Sequence, residues 1–205
     1  MKHLRALFLL AVLTFAVGAY AQGGAHPASP SPTPQAQTTP AGPSSLAEIV
    51  DRQVSQYEKN VVGAAEAMPE DKFNFNPASL NIPNAEYKDV RTFAQLITHT
   101  AAANFFFWTT VSGEKMPENI KGPNGPEFKT KAEAIQFLKD SFAAGHRAAK
   151  TLTPANAGDQ LPFFHGTTQA RLFIASGAVI HDADEYGQMI EYLRMNGIVP
   201  PASRR

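Results

Sequence analysis

The apolar positions of this chain fall into four groups, each with the three- and four-residue spacing of one helix face. In the first group, Leu46, Ile49, Val50, Val54, Tyr57, Val61 and Ala65 recur at that spacing. Ser45-Leu46-Ala47-Glu48 opens it with the Ser-x-x-Glu pattern of a capping box, in which side chains satisfy the first unpaired amides. Pro69 closes the segment, and Pro77, Pro83 and several asparagines make residues 73–88 a connecting loop. Asp89 is placed to cap a second helix that carries Val90, Phe93, Leu96, Ile97 and Ala101 and runs to about Trp108. Gly113, Pro117, Gly122, Pro123, Gly125 and Pro126 forbid helix after it.

Thr130-Lys131-Ala132-Glu133 repeats the capping-box pattern and opens a third helix with Ile135, Leu138, Phe142 and Ala149 as its stripe. Residues 154–164 read as loop. The last helix starts near Thr167 or Thr168 and runs to about Asn196, where Gly197 suits the left-handed position past a helix end and Pro200-Pro201 prevents continuation. No segment alternates with the period of two expected of strands. The pattern predicts an all-α fold, a four-helix up-down bundle with long connecting loops and room for a crossover.

The start of the chain has a different character. Lys2, His3 and Arg5 form a basic head, residues 6–17 are almost wholly apolar, and Ala19-Tyr20-Ala21 supplies the small-x-small pattern of a cleavage site before Gln22. Residues 1–21 are therefore expected to be a signal peptide, too short in its apolar run to span a bilayer comfortably. Residues 22–43 hold six prolines among Gly, Ala, Ser, Thr and Gln and no charged side chain. They are expected to form a disordered tether, leaving 44–205 as the folded domain. The expected location is secreted or periplasmic, without stable membrane insertion after cleavage. Without Lys2 and Arg5 the 18 basic residues fall to 16, against 18 acidic, and no basic block suggests nucleic acid. There is no cysteine, so neither a disulfide nor a thiol nucleophile is available.

Of the six histidines, His3 lies in the signal and His26 in the tether. His146, beside Arg147 and Lys150, reads as a solvated edge of the third helix, and His165 as a loop residue. His99 falls three residues after Leu96, on or beside the buried stripe of the second helix. His181 shares a stripe with Ile174, Ala178, Glu185, Gln188 and Tyr192. His181 and Glu185 are thus one turn apart and able to face one ion, with Asp184, three residues from His181, as a rival carboxylate. An imidazole from a neighbouring helix would complete an open three-ligand site for a divalent metal such as Zn²⁺, Ni²⁺ or Fe²⁺. The plain alternative is a His–Glu hydrogen bond within a core.

Three stretches carry a family resemblance. The run from His181-Asp182-Ala183-Asp184-Glu185 to Tyr192-Leu193-Arg194-Met195-Asn196-Gly197-Ile198-Val199-Pro200-Pro201 resembles the last helix of DinB-like proteins. Phe93-Ala94-Gln95-Leu96-Ile97-Thr98-His99 resembles their second-helix motif, and Met68-Pro69-Glu70-Asp71-Lys72-Phe73 with Pro77 resembles the loop after their first helix. The likeness covers residues 44–203. It implies a four-helix bundle, often dimeric, with a divalent metal held by three histidines; some members are thiol-dependent transferases or isomerases. Carried over residue by residue, the metal ligands fall on His99, His181 and Glu185, the last standing where the family has its third histidine. A two-histidine, one-carboxylate set favours Fe²⁺ or Mn²⁺, while the same change also suits a lineage that has lost its metal.

Two functions follow as expectations. One is a metal-dependent hydrolase or thiol-dependent transferase acting on an unknown small molecule, with Tyr186 and Arg194 as the nearest candidates for a separate acid. The other is a non-catalytic exported bundle, in which Phe105-Phe106-Phe107-Trp108, too broad for one helix face, lines a ligand pocket or a homodimer seam.

Overall fold

Among the described residues, three of the four α-helices begin at a Ser/Thr-x-x-Glu/Gln box with both reciprocal hydrogen bonds made. In the computed structural model, which describes residues 44–204, these are α1 (Leu46–Ala67) behind Ser45, α2 (Phe93–Ser112) behind Thr92 and α3 (Lys131–Ala149) behind Thr130. Each such cap contributes about 1 kcal/mol. Helix α2 therefore starts later than Asp89, which instead takes a left-handed turn conformation. Thr92-x-x-Gln95 wins because it satisfies two amides at once.

Helix α4 (Arg171–Met195) has no side-chain cap. Its first amides bond to carbonyls of the preceding loop, Arg171 N to Asp159 O and Leu172 N to Ala157 O. That loop folds as a small antiparallel hairpin, β1 (Gln160–Pro162) on β2 (Thr168–Ala170), turning through His165 and Gly166 at positive φ. The hairpin corrects both the loop expected there and the helix start near Thr167 or Thr168. Three-residue strands are too short to show alternation in sequence.

Helix directions follow from cross-contacts. On α1 and α3, Asp51 meets His146 and Glu66 meets Lys139, so these two run antiparallel. On α2 and α4, Phe93 meets Tyr192 and Phe107 lies by Gly177, again antiparallel. On α2 and α3, however, Phe105 meets Phe137 and Trp108 meets Gly145, a parallel pair. The helices run up, down, down, up, and residues 113–130 form the crossover that carries the chain back along the bundle between α2 and α3. Around the bundle the order is α1, α3, α2, α4, each packing on its two neighbours.

The core is Trp108, Phe93, Phe142, Leu96, Leu138, Ile174 and Leu193, all essentially without exposure. Gly145, a mid-helix glycine, is explained here: a Cβ on it would stand 2.9 Å from Trp108 Nε1. Among the described residues no helix is long and apolar enough to cross a membrane. Residues 1–43, on which the signal and tether expectations fall, lie outside the described residues.

Candidate metal centre

The side of α2 that faces α4 carries His99, and α4 answers with His181 and Glu185. His99 Nε2 stands 3.5 Å from Glu185 Oε1, and His181 Nε2 stands 3.7 Å from the same oxygen. Both separations exceed an ordinary N–H···O hydrogen bond. They match instead the spacing of ligand atoms on one ion, since two donors about 2.0–2.1 Å from a tetrahedral centre are roughly 3.4 Å apart. One atom from each residue lies within 4.8 Å of the other two. His99, His181 and Glu185 thus form a group that can hold a metal ion.

The surroundings support that fit. Glu185 is 4% exposed, and its Oε2 is buried without a hydrogen-bond partner. A buried carboxylate short of partners costs several kcal/mol, which a cation offsets. His99 Nδ1 donates to the carbonyl of Pro123, leaving Nε2 as the lone-pair nitrogen that faces Glu185. Burial is the largest influence on His181 and lowers its pKa; Glu185 opposes this and His99 assists it. The ring is neutral at pH 7, the state a ligand needs, although its Nδ1 is buried without a partner.

The crossover supplies what holds His99. Gly125 sits at φ +69, and a Cβ there would stand 2.6 Å from the Thr98 carbonyl oxygen. The loop therefore lies directly on the α2 backbone beside His99, and Asn124 Oδ1 accepts from Arg91 Nε at 2.9 Å. Sequence reading used these glycines and prolines only to end a helix. Nothing local announces that Pro123 returns to a histidine 24 residues earlier.

The remaining candidates separate cleanly. Asp184 is exposed and accepts from Gln188 at 3.1 Å, away from the histidines. Tyr186 packs against the core, and Arg194 pairs with Glu191 at 2.8 Å. His165 is exposed in the hairpin turn. His146 is not a solvated edge: its Nδ1 is 2.7 Å from Asp51 and its Nε2 3.0 Å from Glu58, so the ring is clasped between two turns of α1. Asp182, which the sequence pattern does not single out, is fully buried. Burial holds its carboxyl well above the usual range; Asn104 opposes this and Glu185 reinforces it. Both carboxyl oxygens of Asp182, like Asn104 Oδ1, are buried without a hydrogen-bond partner.

A cavity of about 380 Å³ opens onto His99 and His181, walled by Phe106 and Phe107 of α2, Phe164 of the hairpin, and Met116 and Ile120 of the crossover. The aromatic run of α2 is thus shared out. Phe105, Phe107 and Trp108 are buried, whereas Phe106 stacks on Phe164 with ring centres 4.4 Å apart. A second cavity of about 390 Å³, lined by Glu70, Asn74, Gln95 and Lys131 among others, reaches none of the three ligands.

A family profile described as the DinB superfamily matches residues 53–189, well over half of the chain. Two solved structures are similar to it. One is a DinB-like protein from Bacillus cereus ATCC 10987, with 13% identity and a TM-score of 0.57 over 74% of this chain and 93% of that one. The other is a DinB-like protein from Bacillus subtilis, with 16% identity and a TM-score of 0.57 over 77% of this chain and 99% of that one. At these identities they show the fold alone. No curated protein matches the chain.

Proposed function

The chain belongs to the DinB superfamily, and within it we propose an exported, divalent-metal-binding member that uses the metal for transfer or hydrolysis of a small molecule. The observation that carries this is the single buried carboxylate oxygen set between two imidazole nitrogens at 3.5 and 3.7 Å, with no proton-sharing geometry to either. Two neutral imidazoles and one carboxylate leave a divalent ion with a net positive charge, suited to Fe²⁺ or Mn²⁺ and also to Zn²⁺ or Ni²⁺. When bound, such an ion supplies Lewis acidity and acidifies a water.

The chain's own residues do the rest. Pro123 fixes the tautomer and ring plane of His99 through Nδ1. Glu185 offers Oε1 to the shared centre and keeps Oε2 as a buried acceptor. The apolar walls of the adjoining cavity offer water few hydrogen-bond partners. Among the lining residues, His99 and His181 are the only ionisable side chains, so no separate acid is assigned.

Export rests on the basic head, the apolar run and the Ala19-Tyr20-Ala21 site, and hydrolysis suits an exported protein better than a thiol-dependent reaction. A homodimer is supported by Phe173 and Ile180, two turns apart on α4 and 59% and 69% exposed. The competing reading, a bundle that binds a ligand without metal, is favoured by the size and apolarity of the cavity. Elemental analysis of the untagged protein, after reloading with Zn²⁺, Ni²⁺, Fe²⁺ and Mn²⁺ in turn, separates the two. About one ion per chain supports the metal reading, and no retained ion overturns it in favour of the binding bundle.

A further inference from the structure

The cavity beside the ligands has a one-sided chemistry. Its walls are Phe106, Phe107, Phe164, Met116 and Ile120 with small residues between them, and no lysine, arginine, aspartate or glutamate lines it. A charged group lying along these walls, away from the His99 and His181 end, gives up hydration without finding a counter-ion, a loss that apolar contact does not recover. The polar atoms sit at one end only, on His99 and His181.

Size and shape narrow the occupant further. About 380 Å³ lies at the small end of the range of ligand pockets, room for one or two rings. Phe106 and Phe164 stack, and Phe107 lies 5.9 Å from the His181 ring, so an entering ring meets aromatic faces and edges. At the mouth, Phe164 and Met116 are 48% and 36% exposed, an apolar rim of the kind that marks ligand sites. Met116 and Ile120 come from the crossover that also carries Pro123, so ligand wall and metal-ligand support belong to one segment.

We propose that this cavity binds a neutral, aromatic small molecule, its ring among Phe106, Phe107 and Phe164 and a single donor atom turned toward His99 and His181. The proposal rests on the metal reading for the role of the donor atom, and on the cavity alone for the ring. It weighs against a co-substrate that carries its own carboxylates, and so narrows the transfer reaction to uncharged partners.

The test is calorimetric titration of the zinc-loaded full chain with three probes: imidazole, 4-phenylimidazole and 4-(imidazol-4-yl)benzoate. The phenyl probe is expected to bind at least about tenfold tighter than imidazole, and the benzoate to lose most of that gain. Met116→Glu, at an exposed loop position that does not endanger folding, is expected to remove the gain while leaving zinc content unchanged. Ala103→Leu, which fills the cavity from α2, is expected to do the same.

A phenyl probe no tighter than imidazole overturns the proposal, as does a benzoate that binds equally well; in either case retained zinc leaves the metal reading standing. If the chain retains none of Zn²⁺, Ni²⁺, Fe²⁺ and Mn²⁺, amide NMR of the same protein with toluene decides. Saturable shifts at Phe106, Met116 and Ile120 uphold the aromatic site and discard only the metal, whereas their absence discards both.

Discussion

Among the described residues there are two histidine–carboxylate clusters, and they are built on opposite rules. His146 is a proton-filled cluster: each ring nitrogen has its own carboxylate at hydrogen-bond distance, Asp51 at 2.7 Å and Glu58 at 3.0 Å. Since both partners are acceptors, the ring donates from both nitrogens and holds a charge between α3 and α1. At His99 and His181 two rings share one carboxylate oxygen, both distances are too long for a hydrogen bond, and the other oxygen is buried without a partner. The first cluster is complete as it stands. The second could hold a cation, and on the proposed metal reading this difference separates a helix clamp from a metal centre when the residue types are nearly the same.

The sharpest way to break the comparison is to remove a ligand from each side. His181→Ala and Glu185→Ala are each expected to bring metal content from near one ion per chain to background. His146→Ala is expected to leave metal content unchanged. Loss of metal in the His146 variant, by elemental analysis of all three, would erase the distinction.

Next in size is the support of His99. Gly125→Ala forces a Cβ against the Thr98 carbonyl at a left-handed φ, which lifts the crossover and takes Pro123 away from His99 Nδ1. Losing such an outer partner is expected to weaken metal binding about ten- to a hundredfold, measured by competition with a chelator. An affinity unchanged from the native protein would mean that Pro123 does not orient the ring.

The His146 clamp predicts a smaller effect, on stability rather than metal. Burial is the largest single influence on His146 and lowers its pKa, but the hydrogen bonds and charges of Asp51 and Glu58 together outweigh it, so the net shift is upward. The sign follows: the clamp's contribution is fully present below the unfolded value of about 6.5 and is lost as pH rises through the higher folded value. His146→Gln is expected to cost about 1 kcal/mol at pH 6 and less at pH 9, read from denaturant melts. A difference that grows with pH would reverse the assignment. Smallest of all, Asp184→Ala is expected to change neither metal affinity nor stability measurably, because Asp184 is exposed and bonds only to Gln188.

Legibility in the sequence followed the range of the interactions. Helices α1 and α3 announce themselves through capping boxes, and the all-α bundle follows from four apolar stripes, because these are contacts three or four residues apart. Thr92-Phe93-Ala94-Gln95 carries the same signal and was readable in place of Asp89. Within the stripe of α1 the periodicity overreached at Ile49, which is 43% exposed. The pairing of His181 with Glu185 was likewise local, one helical turn, while the choice of Glu185 over Asp184 came from the family resemblance and agrees with their burial. The hairpin was not readable, since three residues a strand show no period and its function is to end amides of α4. The His146 clamp, the Pro123 support and the cavity wall from Phe164 join residues tens of positions apart, and only the up-down-down-up path brings them together.

The most direct test of the metal centre is X-ray absorption at the metal edge of the loaded, untagged protein. A nitrogen and oxygen shell at about 2.0–2.2 Å with multiple scattering from two imidazoles is expected, with the metal signal falling to background in His99→Ala. A shell without imidazole, or one that His99→Ala leaves unchanged, would place the ion elsewhere and leave His99, His181 and Glu185 as a polar end of an apolar cavity.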